Sequence, residues 1–262
     1  MFVSKKAIGK RFGLLATLVA ALLIACTGVI SAQSSTPNAG YENPNPVTTT
    51  PVDATQSASE TASNVTVETI GIPNGKNGNF ETGDFTHWNS ANLTGGSGDW
   101  FVYEGTKSPL SGFNIAAPPQ GNFAAVTDQE GPGSHVLYRN IKLAPGMRHE
   151  LSFYLYYRNR ADGFYTPKTL DYTEIPNQQY RVDVLRPSAN PFTVNRNAIL
   201  ARLFRTKVGD PKRQAPTLMT FNLTQFAGKT VRLRFAEVDN QFYFQASADK
   251  VKVTRSRDSS KK

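Results

Sequence analysis

Cysteine is almost missing from this chain. The only one among 262 residues is Cys26, close to the N-terminus. A single cysteine cannot form an internal disulfide, and the rest of the chain has no thiol for nucleophilic or redox chemistry. A folded domain of this kind must draw its stability from its own core or from a bound ion. Disulfide-stapled scaffolds and thiol enzymes are therefore excluded.

Histidine is also scarce. The three histidines, His87, His135 and His149, are well separated, and neither an H-x-x-H nor a C-x-x-C spacing occurs. Those spacings place two metal ligands on one element and are typical of zinc sites. The sequence therefore gives no indication of a transition-metal centre. A G-x-S-x-G elbow and a glycine-rich phosphate loop are also absent, so two common enzyme classes have no support.

The charge balance gives little support to nucleic-acid binding. The formal net charge is +9, but the first 32 residues carry four positive charges and no negative ones, so the remainder has +5. Several of these charges lie in the final TRSRDSSKK. The folded part is only mildly basic, so nucleic acid is not an expected partner. A weak attraction to acidic polymers at a cell surface stays open.

Residues 1–32 have the layout of a secretory signal peptide, with a basic start and an apolar run from Leu14 to Ile24. The run is too short to favour a membrane span. Two cleavage patterns compete. Ala32 ends a site of the signal-peptidase type, whereas the segment LIAC resembles a bacterial lipobox in which Cys26 would carry a lipid. Either pattern predicts a secreted or cell-surface protein that meets a membrane only through Cys26.

Composition divides the rest of the chain into three parts. Residues 33–70 are rich in Ser, Thr, Pro, Asn and Ala, which predicts a disordered linker. Residues 71–254 contain short runs of Val, Phe, Tyr, Leu and Thr, separated by turn residues, and several runs alternate with period two. This pattern predicts one all-β sandwich. Residues 255–262 are expected to be a basic tail, and the mixed periodicity of 195–204 leaves a short helix open.

Alternation assigns the side chains of two of the predicted strands to faces. Leu151, Phe153, Leu155 and Tyr157 share an apolar face of one strand, and Tyr180, Val182 and Val184 share that of another. If both strands lie in one sheet, their second, non-apolar faces would together form a groove. Such a groove would suit sugars, because aromatic rings pack on sugar C–H groups and charged planar groups bind hydroxyls. The groove residues would be Tyr154, Tyr156, Arg158, Gln179, Arg181 and Asp183, walled by the loop aromatics Phe164, Tyr165 and Tyr172. The alternative is an ordinary solvated sheet face with structural ion pairs.

The two ends of the predicted domain carry recognisable motifs. NGNFETGDFTHW at 77–88, AGKTVRLRFAEVDN at 227–240 and ASADKVKV at 246–253 together resemble bacterial carbohydrate-binding modules with a galactose-binding-like jelly-roll fold. The resemblance spans residues 74–253, whereas the middle looks like an uncharacterised group of exported bacterial proteins that share the sandwich. It implies core positions for Trp88 and, by packing preference, for Trp100.

The resemblance also implies a structural Ca²⁺ site. Glu81 matches the family's early glutamate and Asp249 its late aspartate, and backbone oxygens near Asn79 and Gly83 would complete the shell. Asp84 is either a further ligand or a turn former. A turn without metal is the alternative.

Enzymatic readings have weaker support. A glycoside hydrolase would need paired carboxylates, for which Asp183 with Asp171 or Glu174 is the nearest candidate. A polysaccharide lyase would need residues such as Tyr156, Arg158, Arg181 and His149, but no lyase spacing is present. We therefore expect an exported, non-catalytic domain that binds polysaccharide or cell-surface glycan. The alternative is a structural or adhesive surface protein with protein or matrix partners, and a β-sandwich enzyme is the third option.

Overall fold

A computed structural model describes residues 67–68 and 77–257 of the chain. The predicted signal peptide, with Cys26, and most of the predicted linker lie outside the described residues. The strands are β1 (Val67–Glu68), β2 (Asn89–Asn92), β3 (Asp99–Glu104), β4 (Phe123–Asp128), β5 (Gly133–Lys142), β6 (Met147–Asn159), β7 (Gln178–Leu185), β8 (Ile199–Arg205), β9 (Arg213–Asn222), β10 (Thr230–Asp239) and β11 (Phe244–Arg257), with a 3₁₀ helix at Thr224–Phe226. No helix in this part of the chain has the length and apolar character of a membrane span.

The strands form two antiparallel sheets. The front sheet has the order β3-β4-β11-β6-β9, with β1 paired to the end of β11, and the back sheet has the order β2-β5-β10-β7-β8. The eight strands β4 to β11 thus make two four-stranded sheets, 4-11-6-9 and 5-10-7-8, which is the order of a jelly roll. The predicted all-β, jelly-roll sandwich is confirmed.

The core lies between the sheets and uses the apolar faces that alternation predicted. Leu151, Phe153 and Leu155 of β6 point inward from the front sheet, and Tyr180 and Val182 of β7 point inward from the back sheet. Aromatic side chains dominate the contact between the sheets. Because each aromatic pair adds about 0.5–1.5 kcal/mol beyond the area it buries, this stacking stabilises the sandwich substantially.

Phe235 lies at the centre of this aromatic core. Its ring centroid is 5.2 Å from that of Phe153 in a T-shaped contact, 6.1 Å from Trp88 and 6.5 Å from Trp100. Both tryptophans are buried, with 7% and 3% of their surfaces exposed. Their predicted core positions are confirmed.

The opening motif folds into a compact turn against this core. The Asn77 amide donates to the carbonyl oxygen of Asp84 at 2.7 Å, and the indole nitrogen of Trp88 donates to the carbonyl oxygen of Asn77 at 2.8 Å. Asp84 accepts hydrogen bonds from the Thr82 and Thr86 hydroxyls, so its carboxylate closes the turn. Phe80 is held at a positive φ of 57° and is fully buried beside Trp88.

The structure differs from the sequence prediction in two places. The segment 195–204, for which a short helix stayed open, contains most of strand β8 instead. The described chain also remains in the sheet at both ends, because Val67 pairs with Ser256 and Glu68 with Arg255. β11 therefore extends to Arg257, inside the predicted tail, where β6 also pairs with it.

Loops cover the outer face of the back sheet and bury an ion-pair network there. Both oxygens of Asp183 accept hydrogen bonds from Arg181, at 2.7 and 3.0 Å, and Arg234 donates to the same carboxylate. Arg234 also donates to the carbonyl oxygens of Pro191 and Thr193 in the covering loop, at 2.6 and 2.7 Å. Burial acts to raise the pKa of Asp183, but the charges of Arg234 and Arg181 outweigh it and lower that pKa.

We expect Asp183→Asn to destabilise the protein by about 3–5 kcal/mol, because it leaves two buried guanidinium groups without their counter-charge. Denaturant unfolding at pH 7 measures this free energy. Since the pKa of Asp183 is depressed, its contribution is present above the ordinary aspartate pKa and is lost only as pH falls through the depressed value. Asp162→Asn, at an exposed loop position, is the matched control and should change stability by less than about 0.5 kcal/mol. Equal stability of the two variants would contradict the role of the network.

Candidate functional site

The two predicted halves of the sugar-binding groove lie on different sheets. β6, with Tyr154, Tyr156 and Arg158, belongs to the front sheet, whereas β7, with Gln179 and Arg181, belongs to the back sheet. Their non-core faces point away from each other on opposite outer surfaces of the sandwich. The prediction of one shared groove is wrong, because consecutive strands of a jelly roll cross between sheets here instead of pairing.

The back-sheet half is not open to a ligand. Gln179, Arg181 and Asp183 are all buried, with at most 2% of their surfaces exposed. The Gln179 amide donates to the carbonyl oxygen of Thr169 at 2.9 Å and lies 2.6 Å from the Asn177 side-chain oxygen. These contacts tie β7 to the loop that precedes it. The alternative prediction of structural ion pairs is correct for this strand. The face is covered by loops, however, and is not solvated.

The loop aromatics do not wall a shared site either. Phe164 is buried in the main core, with its ring 5.5 Å from Tyr157 and 5.4 Å from Phe244. Tyr165 is half-buried and forms a β-bridge with Gln178. The Tyr172 hydroxyl donates to the carbonyl oxygen of Thr94 at 3.1 Å. The side chains of Phe164 and Tyr172 and the backbone of Tyr165 thus hold this loop in place.

The front-sheet half borders an open groove, here called the front groove. Its floor contains Tyr156 and Arg158 of β6, and its wall is the segment 114–116 of the β3–β4 loop. The full lining is Asn114, Ile115, Ala116, Tyr156, Tyr157, Arg158, Arg213, Gln214, Ala215, Gln245 and Ser247, around a volume of about 100 Å³. Tyr154 lies on the same outer face, two residues along β6, and is half-buried.

Tyr156 is a fixed floor for this groove. Its hydroxyl lies 2.6 Å from that of Tyr103, which in turn lies 2.7 Å from the carbonyl oxygen of Ala116 in the groove wall. Only 2% of Tyr156 is exposed, and burial raises the pKa of its hydroxyl. A hydroxyl in that environment keeps its proton, which argues against Tyr156 as the base of a lyase.

Arginine gives the front groove its charge. Arg158 and Arg213 are directly opposite each other in the antiparallel pairing of β6 and β9. Arg160 lies nearby, with its guanidinium 3.9 Å from the ring centre of Phe113. Burial lowers the pKa of Arg160, and the charge of Arg158 adds to that effect. In the described part of the chain, no carboxylate forms a salt bridge with Arg158 or Arg213, so the groove presents uncompensated positive charge.

Glu81 and Asp249 converge on one loop. Glu81 accepts hydrogen bonds from the backbone nitrogens of Asn122 and Phe123, both at 3.0 Å, and Asp249 accepts one from that of Gln120 at 3.1 Å. Gly121 has a positive φ of 67°, which favours glycine, and a Cβ atom there would lie 2.2 Å from a Glu81 oxygen and would displace this carboxylate. Burial raises the pKa of Asp249 to about 7, and the charge of Glu81 contributes to this shift.

This carboxylate pair fits a Ca²⁺ ion in part. Calcium prefers carboxylate oxygens as ligands, and a cation between Glu81 and Asp249 would relieve the repulsion between them. A carboxylate can bind a cation while it accepts N–H bonds. The remaining predicted ligands, backbone oxygens near Asn79 and Gly83, lie in the adjoining turn. Asp84 is committed to that turn through its threonine partners and is not one of the converging carboxylates.

A third cluster escaped the sequence analysis. His135 of β5 and Glu237 and Asp239 of β10 lie together in the interior, with one ligand-type atom from each within 4.8 Å of the others. The two strands pair so that His135 is directly opposite Glu237. The signal in the sequence was weak: E-V-D places two acids on one face of a strand, but the histidine comes from a strand 100 residues earlier.

The acids considered for hydrolysis are not arranged as a catalytic pair. Both oxygens of Asp183 are bonded to arginine, and one oxygen of Asp171 accepts hydrogen bonds from the backbone and hydroxyl of Thr173. The lyase candidates are dispersed as well, since Arg181 is on the back sheet. His149 lies beyond the groove, with its Nε2 atom 2.9 Å from the carbonyl oxygen of Ala144.

Solved structures with related folds include two carbohydrate-binding domains. TmCBM61, solved with β-1,4-galactotriose, is 12% identical over 68% of this chain and 94% of its own, with a TM-score of 0.41. The xylan-binding domain CBM22-1 of Paenibacillus barcinonensis Xyn10C is 10% identical over 69% and 93%, with a TM-score of 0.38. The chain resembles carbohydrate-binding modules in fold. The predicted family likeness is thus confirmed for the β-sandwich architecture.

The likeness to these structures is one of fold alone. A Stig cyclase, FisC from Fischerella sp. TAU, is 17% identical over 74% of this chain and 100% of its own, with a TM-score of 0.43. A binding module and a cyclase therefore resemble the chain about equally. TM-scores below 0.5 do not support any conclusion about ligand or activity. No protein family and no curated protein matches the sequence.

Proposed function

We propose that this protein is exported and binds acidic glycan non-catalytically in the front groove. The observation that carries the proposal is the pair of opposed arginines, Arg158 and Arg213, without carboxylate partners in the described chain. Like charges directly opposite each other on paired strands are destabilising. Their presence beside an open groove is accounted for by an anionic ligand that joins them through charge-assisted hydrogen bonds.

The other side chains of the groove suit a sugar polymer. Gln214 and Gln245 supply amide groups for hydroxyls. Beside the groove, the half-buried Tyr154 supplies an apolar face for sugar C–H groups. Uronic-acid or sulfated residues would satisfy the arginines. Polysaccharide or cell-surface glycan is therefore the proposed partner.

Binding is tested on an array of uronate-containing, sulfated and neutral glycans with the full chain. We expect the acidic glycans to bind more tightly than neutral ones and their affinity to fall as salt rises. Arg213→Ala should weaken acidic-glycan binding about tenfold or more, because a hydrogen bond to a charged group contributes about 1.5–3 kcal/mol.

Arg196→Ala, at an exposed position in the loop over the back sheet, is the matched control and should bind like the wild type. Equal losses of glycan affinity in the two variants would show that binding depends on net charge alone and would contradict the front groove as the binding site. An intact fold with no glycan binding would favour the adhesive alternative with protein or matrix partners.

We also propose a structural Ca²⁺ ion held by Glu81 and Asp249, with backbone oxygens near Asn79 and Gly83. The support is the convergence of both carboxylates on residues 120–123. A cation there would offset the repulsion that, with burial, raises the pKa of Asp249. The ion would fix the two ends of the sandwich to the loop that continues into the groove wall.

The calcium proposal predicts a linked pH effect. The folded pKa of Asp249, about 7, lies above its ordinary value of 3.8, so the stabilisation from its proton is complete below about pH 4 and is lost as pH rises to about 7. Without Ca²⁺, Asp249→Asn should remove this loss. At pH 7.5, Ca²⁺ should raise the melting temperature of the wild type but not of Asp249→Asn. A wild-type melting temperature that neither chelator nor Ca²⁺ changes would rule the ion out.

Export is the remaining part of the proposal and rests on the sequence of residues 1–32. We expect mass spectrometry of the mature chain to give an N-terminus at Gln33, or at a lipid-modified Cys26. Cys26→Ser should move the protein from the membrane fraction to the soluble extracytoplasmic fraction only in the second case. A mature chain that retains residues 1–32 in the cytoplasm would contradict export.

A further inference from the structure

The interior cluster of His135, Glu237 and Asp239 is built like a ligand set. Antiparallel pairing puts His135 opposite Glu237, and Asp239 follows two residues later on the same face of β10. That face is the inner one, because Leu137 and Phe235 of the same two faces belong to the main core. All three side chains are buried, with at most 2% of their surfaces exposed.

Within this cluster the hydrogen-bonding capacity is largely unused. Neither carboxylate oxygen of Glu237 has a hydrogen-bond partner, and the Nε2 atom of His135 has none either. Asp239 is better satisfied, because it accepts a bond from the backbone nitrogen of Gly133 at 3.1 Å and interacts with the Gln129 side chain. Buried polar atoms without partners cost about 1–3 kcal/mol each, more when charged, so such a cluster requires an explanation.

Electrostatics also leaves the two carboxylates uncompensated. Burial raises the pKa of Glu237 well above its usual value, and the charge of Asp239 raises it further. Burial likewise raises the pKa of Asp239 to about 8, and Asp128 adds to the effect. No cationic side chain in the described chain opposes either shift. A positive charge placed among the three side chains would relieve both.

His135 is oriented as a metal ligand would be. Its Nδ1 atom lies 2.9 Å from the side-chain oxygen of Asn92, so Nδ1 carries the proton and Nε2 keeps its lone pair for the cluster. The backbone of Ser97 also interacts with this imidazole, and the contact acts to raise the pKa of His135. Burial lowers the pKa of His135 to about 4, so the imidazole is neutral at pH 7.

We infer that His135, Glu237 and Asp239 bind one divalent transition-metal ion of the Zn²⁺ class. Two carboxylates and a neutral imidazole balance the charge of such an ion, and mixed nitrogen and oxygen donors suit it better than Ca²⁺ or Mg²⁺. Tetrahedral donors around Zn²⁺ lie about 3.4 Å apart. The present separations of up to 4.8 Å therefore close by about 1.4 Å or less through side-chain rotation.

A cleft gives the ion a route from solvent. It lies between the β4–β5 loop and the β10–β11 loop, has a volume of about 210 Å³, and is lined by Gln129, Glu130, Gly131, Pro132, Asp239, Asn240, Gln241, Phe242 and Tyr243. Asp239 belongs to both the cleft and the ligand set. The metal site thus opens at one end of the sandwich and shares no residue with the front groove.

Titration of the full chain tests the inference after a chelator has been used to remove bound metal and has itself been dialysed away. We expect one Zn²⁺ per chain by calorimetry at pH 7.5, and visible d–d absorption when Co²⁺ replaces it. Glu237→Gln and His135→Gln should each lower Zn²⁺ affinity at least 100-fold.

Two controls separate this site from others. His87→Asn changes an exposed histidine, and Asp249→Asn changes the proposed calcium site; both should keep wild-type Zn²⁺ affinity. Without metal, Glu237→Gln should melt no lower than the wild type, because it removes a buried carboxylate, so its loss of Zn²⁺ is not a loss of fold. No Zn²⁺ binding, or an equal loss of Zn²⁺ affinity in His87→Asn, would overturn the inference. The cluster would then be a pair of carboxyl groups sharing a proton.

Discussion

Arg234 holds the back of this protein together. Its guanidinium is completely buried between the back sheet and the loop at 186–198, where it joins Asp183 to two loop carbonyl oxygens. A buried guanidinium is costly unless its charge is balanced and most of its donors are bonded; both terminal nitrogens of Arg234 are bonded, and only Nε has no partner. Arg232, two residues earlier on β10, donates to another carbonyl oxygen of the same loop, that of Ala189. The covering loop is therefore fixed by polar contacts as well as by its apolar residues.

The polar contacts that hold this loop over the back sheet determine which outer face of the sandwich is exposed. The outer face of the back sheet forms a second, smaller core with its loops, in which Val136 and Val238 pack with Leu170 and the partly buried Phe192. The front sheet is covered only in part, by the β3–β4 loop over Tyr103 and Val126. Its uncovered part carries the front groove and the opposed arginines.

The sequence predicted the inner faces well and the outer faces poorly. Period-two alternation identified Leu151, Phe153 and Val182 as core, because any strand in a sandwich must bury one face. It could not tell that β6 and β7 belong to different sheets, since local pattern carries no information about pairing. Alternation also assigned Arg181 and Asp183 to an exposed face. The same alternation of apolar and charged residues occurs whether that face is covered by a loop or by water.

The candidate sites divide along the same line. Glu81 and Asp249 could be proposed from end motifs, because a resemblance supplied the long-range relation that periodicity lacks. His135 and Glu237 had no such support: they meet only through the register of β5 and β10. The opposition of Arg158 and Arg213 depends in the same way on register, next to an irregularity in the β6–β9 pairing.

The grip of Glu81 and Asp249 on residues 120–123 has a consequence for motion. Those residues end the loop whose earlier part, 114–116, walls the front groove. Local opening of that loop must break the hydrogen bonds from Gln120, Asn122 and Phe123 to two carboxylates anchored at opposite ends of the folded chain. The state of the carboxylate pair then sets how often the groove wall opens, which links the two ends of the folded domain to the access of a ligand to the front groove.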